Sequence, residues 1–141
     1  MTRPSWHEYF MQIAEKVSER STCLHRHVGA VIVRSNHIIA TGYNNVPSGV
    51  PHCTPDLCTR QNVQAGQELE ICRAIHAEQN AILQAARMGM CTDGATMYVT
   101  ILPCYTCAKM ILNAGIVKVY YQKHYPNQKS IELLGERLVK L

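Results

Sequence analysis

No uncharged apolar run in this sequence approaches the roughly 20 residues that a membrane-spanning helix needs. The opening residues, Met1 to Glu8, place no apolar segment behind a basic start, which argues against a secretion signal. Dense Lys/Arg blocks are missing as well. The net charge of +4 is spread along the chain, so a nucleic-acid arm is not expected and the charge suits at most an anionic small ligand. Internal repeats and low-complexity tracts are absent, which excludes a solenoid or a tethering linker. The expectation is a cytoplasmic protein with neither membrane nor nucleic acid as partner.

What remains is 141 residues of 47% apolar composition, the size of a single domain (1–141) that buries a core between two or three layers. Seven cysteines, an odd number without a secretion signal, fit metal ligation or catalysis in a reducing compartment better than a disulfide framework.

Ser5-x-x-Glu8 matches a capping box, and Phe10, Ile13, Ala14 and Val17 follow at helical spacing, predicting a helix over about 5–19. Gly29–Val33 and Ile38–Ala40 are β-rich runs separated by Arg34-Ser35-Asn36, a hairpin pattern. A second helix is expected from His76 to Met88, closed by Gly89. After it come a strand over 95–100, a helix over 104–113, a strand over 117–121 and a last helix near 131–140. That alternation predicts an α/β fold of three α/β/α layers, with a central mixed sheet of about five strands and helices on both faces.

Cys104 and Cys107 lie three apart directly after Pro103, at the first turn of a predicted helix. Their sulfurs share one face there, and the helix N-terminus favours thiolates. A catalytic zinc has three protein ligands and an open position, and His76 is the natural third. Within a helix, residues two apart point about 200° from each other, so His76 and Glu78 can address one metal only where a helix begins. The spacing therefore predicts a helix start at His76. Zinc lowers the pKa of its water from about 16 to about 7, but removing an amino group from a ring also requires proton delivery. Glu78, a carboxylate beside the metal and not bound to it, supplies that. His-x-Glu followed by Pro-Cys-x-x-Cys is the signature of the zinc nucleobase deaminases. Here it reads His76-Ala77-Glu78 and Pro103-Cys104-Tyr105-Thr106-Cys107. The bland alternative is a closed structural zinc site with four protein ligands and Glu78 as a bystander.

Over nearly its whole length the chain resembles the deoxycytidylate (dCMP) deaminases of the cytidine deaminase superfamily. The resemblance rests on the zinc motif and on Arg20-Ser21-Thr22-Cys23, Val28–Val33, Gly42-Tyr43-Asn44, His52-Cys53, Ile75–Ile82 and Ala114-Gly115-Ile116. It implies a cytidine-deaminase-like fold and hydrolysis of dCMP to dUMP and ammonia for thymidylate synthesis. A hexamer activated by dCTP and inhibited by dTTP is also implied, with Mg2+ accompanying the effector nucleotide. In that likeness Glu78 protonates the ring nitrogen and then the leaving amine, Asn44 touches the sugar or base, and the Ala77 backbone orients the pyrimidine. Arg26, whose guanidinium fork suits phosphate oxygens, is the candidate for the 5′-phosphate, against the reading of a solvated loop cation, and Tyr120 is a candidate for the pocket wall. Gly42, Tyr43, Asn45 and Gly49 fall on the stretch that the family associates with the allosteric nucleotide. Asn45 replaces a glycine there and is expected to tolerate a left-handed backbone.

Between Val50 and Arg73 the chain turns polar, without an apolar period that would order it. Cys53, Cys58 and Cys72 lie in this 50–73 insertion, and Cys23 precedes the first strand. Together these four thiolates would close a second, structural zinc site that supplies the missing ordering energy. Reduced, unliganded cysteines are the alternative, as is His52 or His25 replacing one ligand. Cys91, near no motif, reads as a buried small hydrophobe. The rival functions are deamination of another cytosine nucleotide such as dCTP, a tRNA or other nucleic-acid base deaminase, and a non-catalytic zinc module. The second would need a basic, aromatic channel, and no such run occurs.

Overall fold

The structure, a computed structural model, describes residues 2–141. Helix α1 (Trp6–Ser18) starts at the predicted box: Ser5 Oγ accepts from the Glu8 N–H and the Glu8 carboxylate accepts from the Ser5 N–H. Strands β1 (Gly29–Arg34) and β2 (His37–Tyr43) form the expected hairpin, turned by Ser35 and Asn36, both in the left-handed region. Then follow α2 (Ala77–Arg87), β3 (Thr96–Ile101), α3 (Tyr105–Asn113), β4 (Lys118–Lys123), α4 (Gln128–Leu134) and β5 (Leu138–Lys140).

The five strands form one sheet in the order β2-β1-β3-β4-β5. β1 is antiparallel to β2 and β3, while β3, β4 and β5 run parallel, as the intervening helices require. Alternation along the strands divides the core. Val31, Val33 and Tyr98 meet Phe10, Met11 and Ala14 of α1 on one face. Ala30, Ile32, Met97, Val99 and Val119 meet Ala77, Ala81 and Ala85 of α2 and Ala108 and Ile111 of α3 on the other. The result is the mixed α/β/α architecture that the sequence predicts.

Two expectations are corrected. The last helix does not run to Lys140: it stops at Leu134, Gly135 adopts positive φ, and Leu138–Lys140 joins the sheet beside β4. Cys91 is exposed, because it sits in the turn between α2 and β3, where its carbonyl accepts from Arg34 Nη1.

Candidate active site

Four connections converge at one end of the sheet. Val28 enters β1, Asn44 leaves β2, Leu102 leaves β3 and Tyr125 follows β4, all lining one cavity. The carboxyl ends of parallel strands are where open α/β sheets form ligand sites.

Into this cavity come the N-termini of two helices. His76 is the N-cap of α2, with extended backbone at φ −69° and ψ 156°, and its N–H donates to the Gln79 side chain at 3.0 Å. The extended cap frees His76 from helical angular spacing, so it and Glu78 turn towards one centre. Cys104 is the N-cap of α3, and Cys107 lies one turn later. His76 Nδ1 stands 3.2 Å from Cys107 Sγ and 3.4 Å from Cys104 Sγ. A tetrahedral zinc separates an imidazole nitrogen and a thiolate sulfur by about 3.5 Å, so one nitrogen and two sulfurs are here pre-arranged for zinc. Among the described residues this trio is the cluster of three or more metal-binding side chains whose ligand atoms all lie within 4.8 Å.

The electrostatics fit that role. The Cys104 thiol is drawn down to about 4, first by the hydrogen bond from the Cys107 thiol and then by His76, against the effect of burial. Cys107 is held protonated by its bond to the Cys104 sulfur and by burial. The same Cys104 sulfur raises His76. Glu78 is 4% exposed, and burial pushes its carboxyl above the usual carboxylate range. A buried carboxyl with a raised pKa is suited to taking up and returning a proton near neutral pH.

Asn44, Ala77 and Arg26 line the cavity as expected, alongside Glu78. Asn44 Oδ1 accepts from the Val28 N–H at 2.8 Å and Nδ2 donates to the Arg26 carbonyl at 2.8 Å, which leaves one amide hydrogen free for a ligand. Arg26 lies over Tyr125, its guanidinium carbon 4.8 Å from the ring centroid. Tyr120 does not reach the site. It stacks on Tyr98 at 5.0 Å and meets the tilted His7 ring at 4.4 Å on the α1 face of the sheet, since alternation turns it away from its neighbour Val119. Tyr125 and Arg60, which sequence reading missed, stand in the wall instead. Tyr125 is marked only once the end of β4 at Lys123 is known, and Arg60, inside a patternless insertion, gave no signal.

Cys23 and Cys72 line the cavity, and Cys58 Sγ is 3.4 Å from His25 Nε2. Burial raises the Cys53 thiol, Arg73 opposes this, and Cys23, Cys58 and Cys72 raise it further, but no three of these four sulfurs all lie within 4.8 Å of one another. Gly42 and Tyr43 close β2, while Gly49 lies in the following loop at φ +85°. Asn45 is not left-handed: it is extended and paired with Ile75 by two backbone bonds of 3.1 and 2.8 Å, so the reason expected for asparagine there does not hold.

The model of the cytidine and deoxycytidylate deaminase zinc-binding region matches residues 4–123. The chain belongs to this family. A deoxycytidylate deaminase of Schizosaccharomyces pombe is 43% identical over 125 residues, covering 87% of this chain and 38% of the fission-yeast protein. One from Mycobacterium phage D29 is 40% identical over 130 residues, covering 87% of this chain and 98% of the phage protein. Among solved structures, the dCMP deaminase of cyanophage S-TIM5 in complex with dCMP and dUMP is 33% identical over the full length of both chains, with a TM-score of 0.83. The His76–Cys104–Cys107 cluster falls inside the matched zinc-binding region. The chain spans well under half of the fission-yeast relative and nearly all of the phage one. No helix among the described residues is long and apolar enough to cross a membrane.

Proposed function

We propose that this chain hydrolyses dCMP to dUMP and ammonia, a step that feeds thymidine nucleotide synthesis. One observation carries the reading: His76 and Cys104 of the metal-binding trio and a buried Glu78 line a cavity whose wall also holds two arginines, Arg26 and Arg60. Full-length similarity to a structure solved with dCMP and dUMP supports it. Zinc held by His76, Cys104 and Cys107 supplies Lewis-acid activation of the attacking water. Glu78 carries the proton to the ring nitrogen and then to the departing amine. The free Asn44 amide hydrogen serves the sugar, the Ala77 backbone orients the base, and Arg26, seated over the Tyr125 ring, takes the 5′-phosphate. The decisive measurement compares kcat/KM for deoxycytidine, dCMP and dCTP. The highest value is expected for dCMP, and absence of ammonia release from any of the three by zinc-loaded protein would sink the proposal.

The reading extends to assembly and control. It makes residues 1–141 one catalytic domain working in the cytoplasm. Cys23, Cys53, Cys58 and Cys72 hold a second, structural zinc, supported by an insertion that places no residue in either apolar core cluster and so lacks ordering energy of its own. It also takes the protein as a hexamer responsive to dCTP and dTTP with Mg2+ through Gly42, Tyr43, Asn45 and Gly49. The support is that Asn45 is bonded to Ile75, directly before the zinc ligand His76. Hyperbolic dCMP saturation untouched by either triphosphate would refute that control.

A further inference from the structure

Helix α2 packs against the sheet through alanine. Ala77, Ala81 and Ala85, four apart and fully buried, form a stripe along its inner face. Such a stripe permits very close packing but offers no large side chains to interdigitate, so it does little to fix where the helix lies along its own axis. The approach is closest at Gly42 of β2, where a Cβ would collide with the Ala77 carbonyl oxygen and the Ala81 nitrogen. Yet the axial position matters, because His76 and Glu78 sit at the first turn and must meet Cys104 and Cys107 on another helix.

Two side-chain amides supply the missing register. β2 is an edge strand whose Thr41 and Tyr43 backbone groups face α2. Gln84 Oε1 accepts from the Thr41 N–H at 2.7 Å, and Asn80 Nδ2 donates to the Tyr43 carbonyl at 2.8 Å. Four residues of helix rise about 6.0 Å and two of strand about 6.6 Å, so a helix running opposite to the strand satisfies both bonds in one position only. A one-residue slide would break both. Asn80 also lies 3.5 Å from the Ile75 carbonyl, and its own N–H donates to the His76 carbonyl at 2.9 Å. The side chain thereby ties the β2 edge to the turn that carries the metal ligand.

We propose that Asn80 is a positioning residue for the deamination, acting with Gln84 as an axial lock that sets the depth of His76 and Glu78 against Cys104 and Cys107. This rests on the deaminase reading above. Asn80→Asp keeps the shape, removes the donor and sets a carboxylate oxygen against the Tyr43 carbonyl. The expected result is a fall in kcat of about tenfold or more, since small misplacements of reacting groups are that costly, with KM for dCMP within about twofold and zinc still bound. Gln84→Leu is expected to lower kcat in the same direction and to speed hydrogen exchange of the Thr41 amide, and Gln84→Glu, which retains an acceptor, to restore both. Should Asn80→Asp fail to fold, the Gln84 pair decides alone. Unchanged kcat in folded Asn80→Asp, unchanged kcat in Gln84→Leu despite faster Thr41 exchange, or equal defects in Gln84→Leu and Gln84→Glu would each overturn the lock. A protein that showed no activity on dCMP would instead count against the substrate, because Thr41 exchange and zinc affinity report the lock independently of turnover.

Discussion

The Arg26 guanidinium carbon lies 4.8 Å from the centre of the Tyr125 ring, bringing a residue that precedes the first strand over one that follows the fourth. Tyr125 is only 7% exposed, so the ring is a fixed platform and the cation above it is preorganised. Removing the cation is expected to cost recognition of the phosphate and little of the ring chemistry. Arg26→Ala should therefore lower kcat/KM for dCMP by roughly 10- to 100-fold, the scale of a lost charge-assisted bond, and leave deoxycytidine within about twofold. Steady-state kinetics on both substrates checks this. An equal loss on both would move Arg26 from the phosphate to the base.

Glu78 is expected to separate metal binding from chemistry. It is buried beside the trio without belonging to it, and a glutamine there keeps the volume while losing the ability to carry a proton. Glu78→Gln should retain its zinc, judged by metal analysis, while kcat falls by about 10²- to 10⁴-fold, the usual contribution of a positioned proton carrier. Retention of full activity would transfer the proton work elsewhere.

The candidate metal centre was legible because its chemistry leaves a local trace. His76-x-Glu78 needs a helix start, Pro103-Cys104-x-x-Cys107 needs a second, and both appear with the ligands at or just inside the caps. The pocket wall was less legible. Arg26 and Asn44 could be placed, but Tyr120 and Tyr125 are told apart only by strand alternation and by where β4 ends, which a run such as Val119-Tyr120-Tyr121 does not reveal. The C-terminal strand was hidden for a related reason: Ile131, Leu134 and Leu138 keep a helical period across Gly135, whose positive φ ends the helix and whose effect is tertiary.

Zinc loading should release protons in a way set by the two thiols. At neutral pH Cys104, drawn down to about 4, is already a thiolate, whereas Cys107 is held protonated by its bond to that sulfur. Binding therefore displaces roughly one thiol proton per zinc near pH 7, plus whatever His76 holds, because metal ligands must be deprotonated. The His76 share grows as pH falls, since its pKa is raised in the metal-free protein. Calorimetric titration of metal-free protein in buffers of different ionisation enthalpy measures the count. A release near two thiol protons at pH 7 would show that Cys104 is not preformed as a thiolate.

The insertion offers a separate test, because its order and its cysteines are linked. Residues 50–73 contribute no residue to either apolar core cluster, and Cys23, Cys72 and Arg60 line the same cavity. A second zinc would supply folding free energy that this segment cannot draw from apolar burial. Purified wild-type protein should then carry two zinc ions per chain, and Cys72→Ser should lose one of them and keep the other. Loosening the segment should raise KM for dCMP more than it lowers kcat, since the cavity wall moves while His76, Glu78, Cys104 and Cys107 stay in place. One zinc per wild-type chain would leave the four cysteines as unliganded thiols and would require another account of what orders the insertion.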